Sequence, residues 1–472
     1  MLCLASPLRE VSRAFVSKER EAKNVNHEMK IMFLTQKRHI ALISVSGDPA
    51  AEIGQEEAGG QNVYVRQIGE MLASQGWQVD MFTRRNAPEQ PMIVQHQPNC
   101  RTIRLQAGPA EFIGRDVLFD YLPRFVEAFQ AFQQQQKISY SLLHTHYWLS
   151  SWVGMELRRQ QPSLVQVHTY HSLGAIKYQS ISDIPPIGSK RLAVERTCLE
   201  TVNCVVATSP QEQEHMRSHV STQGHIQMIP CGTDIERFGH ISRAAARQLL
   251  GIPQADKTAL YVGRFDPRKG IETLVRAMAQ SKLRGQENLR LIIGGGSRPG
   301  TCDGTERDRI ETIVHELGMS DMTHFPGRLG TENLHLYYAA ADVSVVPSHY
   351  EPFGLVPIEA MASCTPVVGS DVGGLQYTVI PEATGLLVPP KDVDGFATAI
   401  DRILSNPTWR DQLGQAGRQR VETNFSWQGV ASHLGQLYTQ LLSEAALQTS
   451  SVAEPAPEAP KPAEKKATVA VA

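Results

Sequence analysis

TALYVGRFDPRKG, residues 258–270, runs as an apolar strand to Gly263 and then breaks at Asp266-Pro267 into the start of a helix. It decides the fold because it restarts a pattern that the chain has already completed once. Before it come HIALISV (39–45), QVDMFT (78–83), SLLHTH (141–146), SLVQVH (163–168), NCVVATS (203–209) and HIQMIP (225–230), separated by segments of helical periodicity such as 63–75 and 121–136. With it and after it come TALYVGR (258–264), LRLIIGG (289–295), HFPG (324–327), DVSVVPS (342–348) and PVVGSD (366–371). Short apolar strands alternating with helices at this spacing imply parallel sheets joined by right-handed crossovers. Two such series predict an α/β protein of two doubly wound, Rossmann-like domains facing a central cleft.

The expected organisation is an extension without order at 1–37, a first domain at 38–230, and a second at 231–428. A helix crossing between the domains follows at 429–446, and a disordered tail at 447–472. Pro230-Cys231-Gly232-Thr233-Asp234 supplies the turn cluster for a hinge. The tail, rich in Ala, Pro, Glu and Lys, lacks the apolar surface to offset ordering entropy.

With 46 Lys and Arg against 48 Asp and Glu, the chain is nearly neutral, which argues against a nucleic-acid partner but leaves room for a local anion pocket. Seven scattered cysteines with no CxxC argue against a disulfide framework or zinc cage and favour a reducing compartment. No run approaches the roughly eighteen apolar residues that cross a bilayer. The N-terminus, with early Arg and Glu, does not read as a secretory signal. The expected location is cytoplasmic.

In the first half, Gly59-Gly60-Gln61 opens a helix after the first strand, where backbone amides can approach an anionic ligand; a plain tight turn uses the same residues. His144, His146, His168 and His171 cluster at strand ends. They lack a ligand pattern such as HExxH, so hydrogen bonding to sugar hydroxyls fits them better than metal. Arg115, Lys177, Lys190 and Arg191, with Tyr147 and Ser172, form a candidate pocket for a dianionic phosphate. In the second half, Arg264 and Lys269, after Gly263, are placed to meet one pyrophosphate and stabilise charge on a departing nucleoside diphosphate. Glu351 in a loop and Glu359 in the next helix can hold hydroxyls at opposite ends of a ligand, and Gly354 and Leu355 offer helix-terminal amides between them. Gly294-Gly295-Gly296 is explained equally well by close backbone packing.

GGQNVYV, HSLGAIKY, GRFDPRKG and EPFGLVPIEA together resemble retaining GT-B glycosyltransferases, in the branch of sucrose-phosphate synthase and sucrose synthase, over about 38–441. The resemblance implies a glucosyltransferase that moves glucose from UDP-glucose to fructose 6-phosphate, giving sucrose 6-phosphate and UDP with retention. By the same resemblance, Gly60, Gly263, Arg264, Lys269, Glu351, Phe353, Gly354, Leu355 and Glu359 bind the donor. Gly60, Gln61, Arg115, Tyr147, Ser172, Lys177 and Arg191 hold the acceptor. His171, Arg264, Lys269 and Glu351 are catalytic, His171 beside the glucosyl 6-hydroxyl. The family's same-face substitution needs no protein nucleophile: the departing phosphate oxygen takes the acceptor's proton. The nucleotide sugar is then a substrate, no cofactor or bound catalytic metal is called for, and magnesium would act only as a stimulant. UDP, ADP and GDP all fit, since base contacts can come from backbone.

Alternative acceptors are free fructose and an inositol phosphate. Sucrose synthases carry a long N-terminal extension that about 37 leading residues cannot supply. Arg115, Tyr147, Ser172, Lys177 and Arg191 also align with the phosphate-binding positions of the inositol-phosphate branch. Glycogen and starch synthases carry KTGGL where this chain has EAGGQ (57–61), and a sugar-nucleotide sensor would not need Arg264, Lys269 and Glu351 intact. Cys302-Asp303-Gly304-Thr305 lacks the first Asp of a DxDGT phosphatase motif, so dephosphorylation would fall to a separate sucrose-phosphate phosphatase.

Overall fold

The computed structural model describes residues 38–51, 59–180, 184–285 and 288–452; the expectations for 1–37 and 453–472 lie outside these. The first sheet comprises β1 (His39–Ile43), β2 (Gln78–Arg84), β3 (Ile93–Gln97), β4 (Cys100–Leu105), β5 (Leu142–His146), β6 (Val165–Thr169), β7 (Cys204–Ala207) and β8 (Ile226–Met228). Their order is β3-β4-β2-β1-β5-β6-β7-β8, parallel throughout except for β3 against β4. The second sheet holds β9 (Lys257–Val262), β10 (Leu289–Gly294), β11 (Thr323–Gly327), β12 (Val343–Val346), β13 (Val367–Ser370) and β14 (Gly385–Val388), in the order β11-β10-β9-β12-β13-β14. Both sheets reverse direction of winding at their first strand, between β1 and β5 and between β9 and β12. The crevices beyond those strand ends are where such folds hold ligands.

The apolar runs form strands because helices cover both faces: β5, β6 and β12 are buried at every residue. The edge pair β3–β4 and the short β14 were not among the expected strands. β3 is polar and largely accessible, with none of its five residues buried, so it carries no buried-strand signature.

The chain passes between the sheets near Thr233 and back near Ser426, and the two passages pair: Thr233 N donates to Phe425 O at 2.7 Å. The last helix, Trp427–Val452, then packs on the first sheet's helix Gly60–Ser74. Tyr438 meets Trp77 edge-on at 5.7 Å, and Arg38 donates to Thr439 Oγ1 at 3.0 Å. One continuous core therefore joins Leu42, Tyr64 and Val79 of the first half to Ile358, Met361 and Leu375 of the second through Trp427, Leu434 and Tyr438. The helix also corrects the expectation of disorder from 447, for it continues to Val452. Ala445, Ala446, Leu447 and Gln448 suit a helix, and the first helix-breaking proline comes only at Pro455.

Candidate functional site

Two residues singled out by sequence sit in the left-handed backbone region: Tyr147 at φ 71° and His171 at φ 59°. Each follows the carboxyl end of a central strand, β5 or β6, where the chain must turn sharply over the crevice. For non-glycine residues this conformation costs on the order of 1–2 kcal/mol, and such strain concentrates at functional sites.

Beside them the candidate phosphate pocket assembles. Arg191, on the helix Gly188–Thr201, is only 2% exposed. Its Nη1 donates to Tyr147 Oη at 3.3 Å, its Nη2 to Ser172 O at 2.6 Å, and its Nε to Glu195 Oε1 at 2.7 Å. Glu195 also accepts from Gly174 N at 2.9 Å, which fixes the turn after Ser172. Burial works against the Arg191 charge, but Glu195 and the facing tyrosines outweigh it and hold the guanidinium protonated. Arg115 lies across the Tyr147 ring, 5.5 Å from its centroid, with Arg191 at 5.1 Å. Burial, then Arg191, Arg268 and Arg115, lower Lys177 to about 8. The structure thus brings Arg115, Tyr147, Ser172, Lys177 and Arg191 into one neighbourhood with Arg191 as its buried rear wall, while Lys190 lies over the Phe119 ring, 4.5 Å from its centroid. Glu195 escaped the sequence reading, although its i,i+4 spacing from Arg191 was visible.

The histidines form a buried array. His144 bonds Tyr438 Oη at 2.5 Å through Nδ1 and Thr169 Oγ1 at 2.9 Å through Nε2. His168 Nδ1 meets Thr145 Oγ1 at 2.9 Å, and His146 Nδ1 meets His171 Nε2 at 3.1 Å. Tyr64 packs edge-on against both His146 and His171. Burial lowers His171 and His168 to about 3 and His144 and His146 well below the usual imidazole range. The array is uncharged at neutral pH and built for hydrogen bonding. Among the described residues no group of three or more His, Cys, Asp and Glu is placed to hold a metal ion.

Across the cleft, Lys269 Nζ meets Glu351 Oε2 at 2.5 Å, and Ser348 Oγ donates to the same oxygen at 3.4 Å. Two residues expected on the donor therefore satisfy each other here. The Arg264 side chain is exposed at the end of β9, and its carbonyl accepts from Tyr261 Oη at 3.0 Å. Asp266, which held no role in the sequence reading, caps the short turn Pro267–Lys269 by accepting from Arg268 N at 3.0 Å, which sets Lys269 in place. Gly354, at φ 93°, starts the helix Leu355–Ala362, whose first amides have no partner within the helix. Glu359 accepts from Tyr338 Oη at 2.8 Å; burial raises its pKa and that hydrogen bond opposes the rise. Phe353 is 4% exposed, and its ring packs on Phe425 at 5.8 Å, so its side chain belongs to the core.

The halves touch at this point. A Cβ added to Gly60 would lie 3.2 Å from Leu355 Cδ1, and Ser209 Oγ donates to Pro352 O at 3.3 Å. Two Rossmann-like halves that meet with the Lys269–Glu351 pair and a helix N-terminus on one side and the histidine array and the candidate phosphate pocket on the other suit a transferase of activated sugars.

Comparison with known proteins agrees. Residues 59–232 match the glycosyl transferase 4-like domain and residues 242–420 the glycosyl transferases group 1 family. A solved structure of sucrose-phosphate synthase from Thermosynechococcus elongatus is 53% identical, with a TM-score of 0.81, over 86% of this chain and all of that one. The D-inositol 3-phosphate glycosyltransferase of Corynebacterium jeikeium is 36% identical over 85% of this chain and 96% of its own length. Anabaena HepE with UDP and glucose, 17% identical with a TM-score of 0.68, shares the fold. The chain belongs to the GT-B glycosyltransferases, and its likeness to sucrose-phosphate synthase holds across most of its length. Among the described residues no helix is long and apolar enough to cross a membrane.

Proposed function

We propose that this enzyme transfers glucose from UDP-glucose to fructose 6-phosphate, forming sucrose 6-phosphate and UDP with the anomeric configuration retained. The observation that carries the phosphorylated acceptor is the cluster of Arg115, Lys177 and Arg191 about Tyr147 and Ser172, facing the cleft from the first half. In this reading Arg264 and Lys269 take the diphosphate, and its arrival draws Lys269 away from Glu351. Glu351 is then free for the glucosyl hydroxyls, and Glu359 holds the ribose. The bond from glucosyl C1 to the phosphate oxygen breaks while C1 joins the acceptor's anomeric oxygen on the same face. That oxygen's proton passes to the departing phosphate, whose charge the two cations stabilise. Closure of the halves excludes water that would hydrolyse the donor. The reaction requires no bound cofactor; the location we infer is the cytoplasm, and a separate phosphatase would consume the product.

An inositol phosphate acceptor is the second reading, favoured by the name borne by the curated relatives at 36% and 35% identity. Supplying UDP-glucose with fructose 6-phosphate, free fructose or an inositol phosphate and identifying the product decides among them. Sucrose 6-phosphate as main product is expected. Productive transfer to free fructose alone would remove the phosphate-pocket argument. Parallel runs with ADP-glucose and GDP-glucose establish the base preference.

A further inference from the structure

We propose that His146 is a positioning residue that fixes the tautomer of His171, leaving His171 Nδ1–H as the donor turned toward the sugar. His146 is fully buried, and its Nδ1 lies 3.1 Å from His171 Nε2. Its other ring nitrogen, Nε2, is buried without a hydrogen-bond partner among the described residues. Burial lowers both imidazoles far enough that each is neutral and carries one ring proton. Two arrangements of the shared hydrogen bond then exist. If His171 Nε2–H donated, the His146 proton would have to sit on Nε2, as a buried N–H with nothing to receive it. If His146 Nδ1–H donates, the unpartnered atom is only an acceptor. Buried orphaned donors are the rarer of the two, so His146 donates and His171 Nε2 accepts.

The proton of His171 is thereby confined to Nδ1, the ring nitrogen on the side away from His146. The rings cannot easily swap roles. Tyr64 meets both edge-on, with centroids 5.7 and 5.0 Å away. His144 covers the other side of His146 at 4.2 Å, and the backbone of His171 is itself held at φ 59°. A sugar hydroxyl at His171 would then be met by a donor of fixed sense, accepting from Nδ1–H. This inference rests on the proposed function only for the identity of the group that His171 meets.

The test combines a spectroscopic readout with a pair of variants. Nitrogen-15 NMR of the full-length protein labelled at histidine is expected to show His171 protonated at Nδ1 and bare at Nε2. His146→Leu removes the donor and should lower kcat on the order of tenfold, with a smaller change in KM for either substrate and a mixed His171 tautomer. His146→Asn, whose amide can donate from nearly the same place, should recover most of the loss. Protonation of His171 at Nε2 in the unmodified protein, or equal losses in the Leu and Asn variants, would overturn the proposal. The NMR readout needs no acceptor, so it stands even if fructose 6-phosphate proves not to be the substrate.

Discussion

Arg191 faces two ways, and its substitution must be judged on both. Three of its donors go to Glu195, Tyr147 and Ser172, so Arg191→Ala leaves Glu195 buried without its counter-ion. Breaking a buried pair from one side costs about 3–5 kcal/mol, and urea unfolding should show a loss of that size, with Arg191→Ala/Glu195→Gln regaining part of it. Arg115→Ala, which touches no buried pair, is the cleaner probe: KM for fructose 6-phosphate should rise several-fold while that for UDP-glucose stays put. Lys177 adds a pH signature. With a value near 8 in the folded protein, below that of an ordinary lysine, it is charged below that pH and neutral above it. The acceptor's phosphate is doubly charged above about pH 6. Steady-state kinetics should therefore show acceptor KM lowest between these limits and rising by up to roughly tenfold by about pH 9, with Lys177→Arg flattening the rise. An acceptor KM that is level across this range would remove Lys177 from the pocket.

At the scale of elements, legibility followed burial. Strands sealed between two helix layers announce themselves as apolar runs, and β1, β5, β6, β9 and β12 were readable for that reason. β3, with Gln95, His96 and Gln97 at the sheet edge, offers no such run. The site divides the same way. Residue type and spacing were enough to single out Lys269 and Glu351, whereas Glu195 and Tyr438 act through partners distant in sequence, Gly174 and His144, and Asp266 through local capping. The start of the helix Leu355–Ala362 shows what spacing could not supply. Gly354 stands at φ 93°, and a Cβ there would come within 3.0 Å of Leu375 Cδ2. Gly354→Ala should cost about 1–2 kcal/mol in the positive-φ region and turn the helix-terminal amides off the donor. Calorimetry and the KM for UDP-glucose together check this: a stability loss with unchanged KM would mean that those amides do not meet the donor.

The whole molecule is tied together more tightly than two domains on a hinge would require. Its paired passages at Thr233 and Ser426 and its shared core make the last helix the element that both halves depend on. A chain ended at Asn424 would lose the buried Val430, Leu434, Tyr438 and Leu441 and uncover Trp77 and His144. At roughly 1.5–3 kcal/mol for each fully buried large apolar side chain, those four alone rival the ~5–15 kcal/mol that keeps a typical domain folded. Hydrogen exchange followed by mass spectrometry should find β1, β5, β9 and β12 opening together in the intact chain, and β1 and β5 opening first in the shortened one. Tyr438→Phe is the gentle counterpart. It keeps the packing on Trp77 and drops only the hydrogen bond to His144, so its stability loss should stay near 0.5–1.5 kcal/mol. If the two sheets instead exchange independently in the intact protein, the shared core does not couple them, and the helix merely rests on the first half.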